Sequence, residues 1–211
     1  MDEDIEIPTM RIIQDIQEND MVAAFLLAEV DSSRFGPLLA DQLRSKKISP
    51  LILREPDVRN ATENQGRADL LSESRGYRRN ASLFHGFPDD CQWKLVAMTK
   101  SDLDDVMYIN YDYWVELSGG TRRIADAAKR IRSGKVKNEF LDEVIFAVTS
   151  DLAQGKSFPE MILATDEQAL KLVVLEGHVR MTAYVLTPAY IPRELRTIVG
   201  FSPNIDKWTL Y

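Results

Sequence analysis

The sequence has only one cysteine and two histidines, which excludes several classes of site. Cys91 can form no internal disulfide and belongs to no pair with the spacing of a redox or metal motif, so we interpret it as a packing residue. His85 and His178 alone are too few for a zinc site. We therefore predict no dedicated metal site.

The sequence also lacks a hydrophobic run long enough to cross a bilayer. Its longest apolar stretches, residues 21–30 and 170–175, fall well short of the roughly 20 residues that a spanning helix needs. Residues 1–4 are acidic, whereas a secretory signal begins with basic residues. We expect a cytoplasmic protein without a membrane partner.

No repeat, low-complexity tract or linker divides the chain, so a boundary must be found from a change of pattern. Apolar residues near the N-terminus, from Ile12, Ile13 and Ile16 onward, recur at helical spacing, and residues 54–90 are polar with many breakers. Beyond residue 91, helical and strand patterns alternate. We predict an α+β protein with a helical region at 1–90 and a small mixed α/β domain at 91–211.

The pattern of the second half predicts individual elements. They are a strand at 93–98, a basic helix from Thr121 to about Ser133, a helix at 138–154 closed by Gly155, strands at 161–164 and 170–175, a helix at 178–186, and a strand at 195–199 ended by Gly200.

The net charge of −7 disfavours nonspecific nucleic-acid binding, yet the charge is unevenly distributed. Residues 1–33 carry nine acidic residues and one basic residue, whereas residues 121–137 carry seven basic residues and one acidic residue. We expect any anion site in or near the second stretch. Four further arginines could line a site, although we interpret them as solvated: Arg67, Arg75, Arg78 and Arg79.

One motif combines several phosphate-binding features. A buried strand leads into Glu176 and Gly177, where a tight turn would let a helix start at once and leave its first backbone N–H groups aimed at one point. Arg180 in the first turn offers paired donors for phosphate oxygens, and His178 can donate a hydrogen bond or carry a proton. The alternative is structural, with Gly177 as an ordinary turn and Arg180 paired to Glu176.

A second glycine-rich corner precedes the basic helix. Its hydroxyls, backbone N–H groups and guanidinium would bind an anion, and an acid beside it could act as a base. The anion-binding candidates are Ser118, Gly119, Gly120, Thr121 and Arg122, and the candidate bases are Asp112 and Glu116. A capped surface helix is the structural alternative.

The first motif resembles the signature box of the ParB/sulfiredoxin superfold, in which an acid, Gly-His-x-Arg and a helix follow a strand. The surrounding order also fits, with Gly155 and Pro159 before a hairpin and Ile191-Pro192 before the last strand. The resemblance covers about residues 93–203. It implies a ParB/sulfiredoxin-like domain in which the second corner faces the box across one pocket.

Within this superfold the box is most similar to that of the free-serine kinases, which have Asp-Gly-His-His-Arg where this chain has Glu-Gly-His-Val-Arg. Val179 departs from that pattern. Sulfiredoxins have a reactive cysteine at the position of His178, and partition-type ParB proteins continue into a DNA-binding helix-turn-helix domain. Neither of those two activities is expected here.

Residues and resemblance together favour a nucleotide- or phosphate-binding protein, specifically a nucleotide-dependent phosphotransferase or nucleotidyltransferase acting on a small molecule. A nucleoside triphosphate or diphosphate with Mg²⁺ is the expected cofactor. Two alternatives stay open, a nonenzymatic nucleotide-binding regulatory module and a DNA-associated ParB-like factor that uses the basic helix. The expected roles are neutralisation of the transferred group (Arg180 and Arg122), its orientation (His178) and acceptance of a proton (Glu116, Asp112 or Glu176).

Overall fold

The structure, a computed structural model, describes residues 10–136 and 139–211. These residues form eight α-helices and five strands. The strands are β1 (Arg11–Asp15), β2 (Gln92–Met98), β3 (Met161–Thr165), β4 (Val173–Glu176) and β5 (Leu195–Phe201). The helices are α1 (Glu18–Glu29), α2 (Gly36–Lys46), α3 (Leu51–Arg54), α4 (Ala61–Arg75), α5 (Asp112–Ser118), α6 (Ile124–Arg132), α7 (Glu139–Ala153) and α8 (His178–Leu186). None of the described helices is long and apolar enough to cross a membrane.

The strands form one mixed sheet in the order β1-β2-β5-β3-β4. Only β3 and β5 are parallel, and the other three pairs are antiparallel. Strand β4 therefore lies at one edge, and α8 follows it directly in the chain. This arrangement confirms the predicted α+β class.

Hydrophobic side chains form two clusters, one on each face of the sheet. Successive strand residues point to opposite faces, and accordingly Leu95 and Ile198 belong to the first cluster whereas Val96 and Val199 belong to the second. Helices α1 to α4 supply the first cluster, and α5 to α8 supply the second. The sheet is thus covered by helices on both faces.

Several predicted elements of the second half are confirmed. Strands β2 and β3 and helix α8 lie at the predicted positions, and α7 ends as predicted before Gly155, whose φ is +76°. The predicted first residue of α7, Asn138, lies outside the described residues. Strand β4 begins only at Val173, and Leu170 lies before it with an exposed side chain.

The helical prediction for residues 12–16 was wrong. Ile12 and Ile13 lie in strand β1, whose five residues are all exposed, so their spacing does not reflect a packed helical face. The strand forms because its backbone pairs antiparallel with β2, and the pairing continues as Ile16 N–H donates to the carbonyl oxygen of Trp93. Sheet pairing has overridden the local periodicity.

Gly200 does not end the last strand, as its sequence position predicted. It lies inside β5, directly opposite Trp93 of β2. A Cβ at Gly200 would come within 2.7 Å of the indole ring, so the glycine makes room for the aromatic side chain. Strand β5 therefore continues to Phe201.

Two predictions about basic residues also need correction. The basic helix begins at Ile124, not at Thr121, because Arg122 has a left-handed φ of +63°. Arg67 is fully buried and donates to the carbonyl oxygens of Ile52 and Asp57, so it holds the segment before α4 in place and is not solvated.

Candidate functional site

The predicted strand–turn–helix is present at the edge of the sheet. Strand β4 ends at Glu176, Gly177 has a φ of +99°, and α8 begins at His178. A Cβ at residue 177 would lie 2.6 Å from Cγ of Met161, so both the backbone conformation and the close approach require glycine. The first N–H groups of α8 have no acceptor within the helix and point out of its N-terminus.

Arg180 is held by protein groups on two sides. Its Nη2 donates to the Glu176 carboxylate and its Nη1 to the carbonyl oxygen of Pro159. Its side chain is only 11 % exposed. The ion pair of the structural alternative is therefore present, and these bonds use two of the five N–H groups of the guanidinium.

His178 is enclosed by aromatic rings. Its imidazole stacks on Trp114 at a centroid distance of 5.0 Å and lies 6.2 Å from the ring of Tyr108. Burial, together with the nearby charges of Arg75 and Arg180, lowers its pKa to about 3. His178 is thus neutral at physiological pH, and its buried Nε2 has no hydrogen-bond partner among the described residues.

The helical region contributes two charged residues to the same place. Glu29, the last residue of α1, is 7 % exposed, and its Oε1 lies 3.8 Å from Nε of Arg75 at the end of α4. Burial raises the pKa of Glu29 to about 7, although the positive charge of Arg75 opposes this shift. Within the described part of the chain, neither Oε2 of Glu29 nor Nε of Arg75 has a hydrogen-bond partner.

Arg75 connects the two halves electrostatically. Its charge acts on Glu29, on Glu176 and on His178. The guanidinium carbon of Arg75 lies 4.1 Å from the centroid of the Phe35 ring. Burial lowers the pKa of Arg75. We call Glu29, Arg75, Glu176, His178 and Arg180 the charged cluster.

The sequence contains a signal for Glu29, which is not among the predicted site residues. On α1 the buried positions Met21, Phe25 and Glu29 recur every four residues, so Glu29 occupies the apolar face of its helix. An acid on such a face is unusual and needs a partner or a function. The interpretation of Arg75 as a solvated side chain is wrong, because its side chain is only 17 % exposed.

The corner before α6 is occupied by internal hydrogen bonds. Ser118 Oγ accepts from the backbone N–H of Arg122 and Thr121 Oγ1 from that of Arg123, while the N–H groups of Gly119 and Gly120 bond to carbonyl oxygens of α5. The Arg122 guanidinium donates to the carbonyl oxygens of Tyr108, Leu210 and Tyr211. In the described structure the donors of this corner therefore stabilise the local fold, because they bond to protein oxygens.

The two candidate bases of α5 lie apart from the charged cluster. Asp112 and Glu116 are exposed, whereas Trp114 between them faces His178. Residues two positions apart on a helix point in roughly opposite directions, so both carboxylates project away from the imidazole. Among the predicted site residues, the structure brings together only Glu176, Gly177, His178 and Arg180.

A cavity of about 590 Å³ lies elsewhere in the molecule, beside α1. Its lining includes Glu18, Tyr77, Arg78, Cys91 and Lys207, and none of the charged cluster or the predicted site residues. Burial raises the pKa of the Cys91 thiol to about 12, which is consistent with a packing role for this residue.

The charged cluster cannot be assigned by similarity. Comparison of the chain with protein-family models, with curated proteins and with solved structures gives no match. Its function must therefore be inferred from the chemistry of its own side chains.

Proposed function

We propose that this chain binds a phosphate-containing small molecule, with a nucleotide as the leading class, at the charged cluster. The observation that carries the proposal is a set of three buried polar atoms without a hydrogen-bond partner among the described residues, Glu29 Oε2, Arg75 Nε and His178 Nε2. Buried polar groups are nearly always paired, so an unpaired group beside a helix N-terminus suggests a place for a ligand.

The charge of the cluster favours an anion. When Glu29 is ionised, the form that can accept a proton, the guanidinium groups of Arg34, Arg75 and Arg180 oppose two carboxylates, those of Glu29 and Glu176. The charge of Arg34 also acts on both Glu29 and Arg75. A phosphate would balance this excess and could accept hydrogen bonds from Arg75 and from the N-terminus of α8.

The resemblance to the ParB/sulfiredoxin superfold is part of the same proposal. It is supported by the strand–turn–helix at Glu176 to Arg180 and by the hairpin of β3 and β4 before it. Under this proposal the box residues of α8 would contact the ligand. In our proposal Arg75 replaces Arg122 as the second phosphate-binding arginine, because the Arg122 guanidinium is engaged by backbone carbonyls.

We propose that the reaction is phosphoryl or nucleotidyl transfer to a small acceptor. An acceptor hydroxyl oxygen would attack phosphorus, the bond from phosphorus to the leaving oxygen would break, and the hydroxyl proton would pass to Glu29. A carboxyl group with a pKa of about 7 is well suited to accept that proton near neutral pH. Arg75 and Arg180 would stabilise the charge that develops on the phosphate.

Mg²⁺ would accompany the nucleotide. Among the described residues no group of three side chains is positioned to hold a metal ion, so the ion would be held by phosphate oxygens and water with at most one carboxylate. When bound, Mg²⁺ would neutralise charge on the phosphates.

The test is nucleotide binding and turnover by the full chain. We expect titration calorimetry with nucleoside di- and triphosphates to detect binding, and Arg75→Ala to weaken it by about 1.5 to 3 kcal/mol because a charged donor is lost. Arg79→Ala is the matched control, since Arg79 is a nearby but exposed arginine. Absence of binding at millimolar nucleotide would reject a nucleotide as the ligand, and binding without transfer to any hydroxyl acceptor would favour the regulatory module.

The positive charges of the basic helix give little support to the DNA-associated alternative. Most of its cations already have partners, and these pairs are Arg123 with Asp105, Lys129 with Asp126, Arg130 with the carbonyl oxygen of Leu117, and Arg132 with those of Val185 and Leu186. Salt-dependent DNA binding would revive this alternative.

A further inference from the structure

The two nitrogen atoms of His178 have different surroundings. The carbonyl oxygen of Val174 accepts a hydrogen bond from the imidazole, whereas Nε2 is buried without a hydrogen-bond partner in the part of the chain that the structure describes. A carbonyl oxygen can only accept, so the nitrogen that faces it carries the proton. That nitrogen is Nδ1, and in a neutral ring Nε2 then has a lone pair and no hydrogen.

Neighbouring protein groups do not satisfy this lone pair. The Thr182 hydroxyl donates to the carbonyl oxygen of His178, and the Tyr108 hydroxyl lies 2.6 Å from Thr182 Oγ1. Because the Thr182 proton is already used, Tyr108 must donate to Thr182. Both nearby hydroxyl protons are therefore committed elsewhere.

A second buried polar atom, an oxygen of Glu29, lies in the same cluster, and it is an acceptor when Glu29 is ionised. Glu29 is 93 % buried as a residue, since its exposure is 7 %, and its Oε2 also has no hydrogen-bond partner among the described residues. Leaving a buried acceptor without a donor is unfavourable. The cluster is therefore complementary to a molecule that supplies donors as well as negative charge.

We infer that Nε2 of His178 accepts a hydrogen bond from a hydroxyl group of the ligand, so that the phosphate compound bound at the charged cluster is a hydroxylated one. This inference rests on the proposed phosphate-binding function. A hydroxyl fits better than an ammonium group, because the charges of Arg75 and Arg180 both act on His178 and would repel a cation. His178 would thus select the substrate and would not itself bind phosphate oxygens.

The first experiment is nitrogen NMR on the ¹⁵N-labelled full chain without ligand. The chain has only two histidines, so the imidazole signals that remain in the His85→Gln variant belong to His178. We expect His178 at pH 7 to be neutral, with Nδ1 protonated and Nε2 not. A proton on Nε2 would overturn the inference, because that nitrogen would then be a donor suited to phosphate.

The second experiment compares glycerol 3-phosphate with n-propyl phosphate, which has the same phosphate without the two hydroxyl groups. We expect the hydroxylated compound to bind wild-type protein at least about tenfold more tightly, since the analogue leaves a buried acceptor unpaired. His178→Phe keeps a ring against Trp114 and should remove the difference, whereas His85→Phe should preserve it.

The outcomes separate the two proposals. Equal binding of both compounds to the wild-type protein would overturn the role of His178 and leave the phosphate-binding function intact. If neither compound binds and no nucleotide binds either, the phosphate-binding function fails, and the inference about the hydroxyl group fails with it.

Discussion

Glu29 is the residue at which the two halves of the chain depend on each other most directly. It ends a helix of the N-terminal region, yet the charges of Glu176 and Arg180, from the other half, act on its carboxyl group. Burial makes ionisation of this group unfavourable, so its protonation should be coupled both to folding and to ligand binding.

The first prediction concerns the pH dependence of stability. Because the pKa of Glu29 rises from 4.5 to about 7 on folding, its stabilising effect is complete below pH 4.5 and is lost as the pH rises through 7. Between pH 6.5 and 8 we expect the Glu29 contribution to the free energy of unfolding to fall by about 1 kcal/mol. Urea unfolding at a series of pH values measures this slope.

Glu29→Gln should remove this contribution, whereas Glu73→Gln should keep it because Glu73 forms a partly exposed pair with Lys46. His178 adds a smaller slope of opposite sign near pH 6.5, because its pKa falls from 6.5 to about 3 on folding and its stabilising effect is complete only well above pH 6.5. Wild-type protein and Glu29→Gln both contain His178, so the difference between their slopes reports Glu29 alone. An unchanged slope in Glu29→Gln would show that the carboxyl group is ionised throughout.

The second prediction concerns Arg180. Arg180→Ala leaves the Glu176 carboxylate without its ion-pair partner in a site where its side chain is only 13 % exposed. We expect a loss of about 3 kcal/mol in the free energy of unfolding, measured by urea titration. Arg123→Ala, which breaks an exposed pair with Asp105, should cost less than about 1 kcal/mol.

A double variant tests whether the pair itself is responsible. If so, Glu176→Gln combined with Arg180→Ala should be more stable than Arg180→Ala alone, because the unpaired carboxylate is then absent. Equal stability of the two variants would assign the effect of Arg180 to its bond with the Pro159 carbonyl oxygen.

At the scale of elements, the turn between β4 and α8 decides where the helix N-terminus points. Gly177→Ala should destabilise the protein by about 2 kcal/mol more than Gly155→Ala, as measured by thermal or urea unfolding. Both glycines have positive φ, but a Cβ at Gly155 meets nothing within 4 Å, whereas one at Gly177 collides with buried Met161. Similar losses at the two positions would mean that Met161 moves aside freely.

Local patterns predicted those elements whose formation depends on local packing. Strand β2, helix α8 and the turn at Gly177 follow directly from apolar periodicity and a glycine. Strand β1 and the interior position of Gly200 could not be predicted in this way. Each depends on a partner, since β1 pairs with β2 and Gly200 faces Trp93.

The same distinction applies to the site. The box at Glu176 to Arg180 was recognisable because its residues are contiguous in sequence. Glu29 and Arg75 lie about 100 residues or more before it, and only the packing of α1 and α4 on the sheet brings them to α8. The charges of the basic stretch at 121–137 suggested a different place, because a sequence does not reveal which cations already have partners.

At the scale of the whole molecule, one hydrophobic cluster extends across residue 90. It contains Phe25 and Leu70 of the helical region together with Leu95, Ile162 and Ile198 of the sheet. Removal of residues 1–90 would expose one whole face of the sheet to water. The boundary at residue 90 therefore marks a change in sequence pattern. We expect the two regions to fold together.

The fourth prediction follows from this shared cluster. We expect residues 91–211, expressed alone, to lack cooperative unfolding, whereas the full chain should show a single transition by both circular dichroism and fluorescence. A stably folded 91–211 fragment would contradict this expectation and would support an autonomous C-terminal domain.

The stacking of Trp114 on His178 has a practical consequence. Trp93 and Trp208 are almost completely buried, so their emission should change little while the protein remains folded, but Trp114 is only partly buried and touches the imidazole. A molecule that approaches Nε2 of His178 would change the electronic environment of the Trp114 indole ring, which stacks on the imidazole. The protein thus carries its own optical reporter, and its ligand can be sought by intrinsic fluorescence without any attached dye.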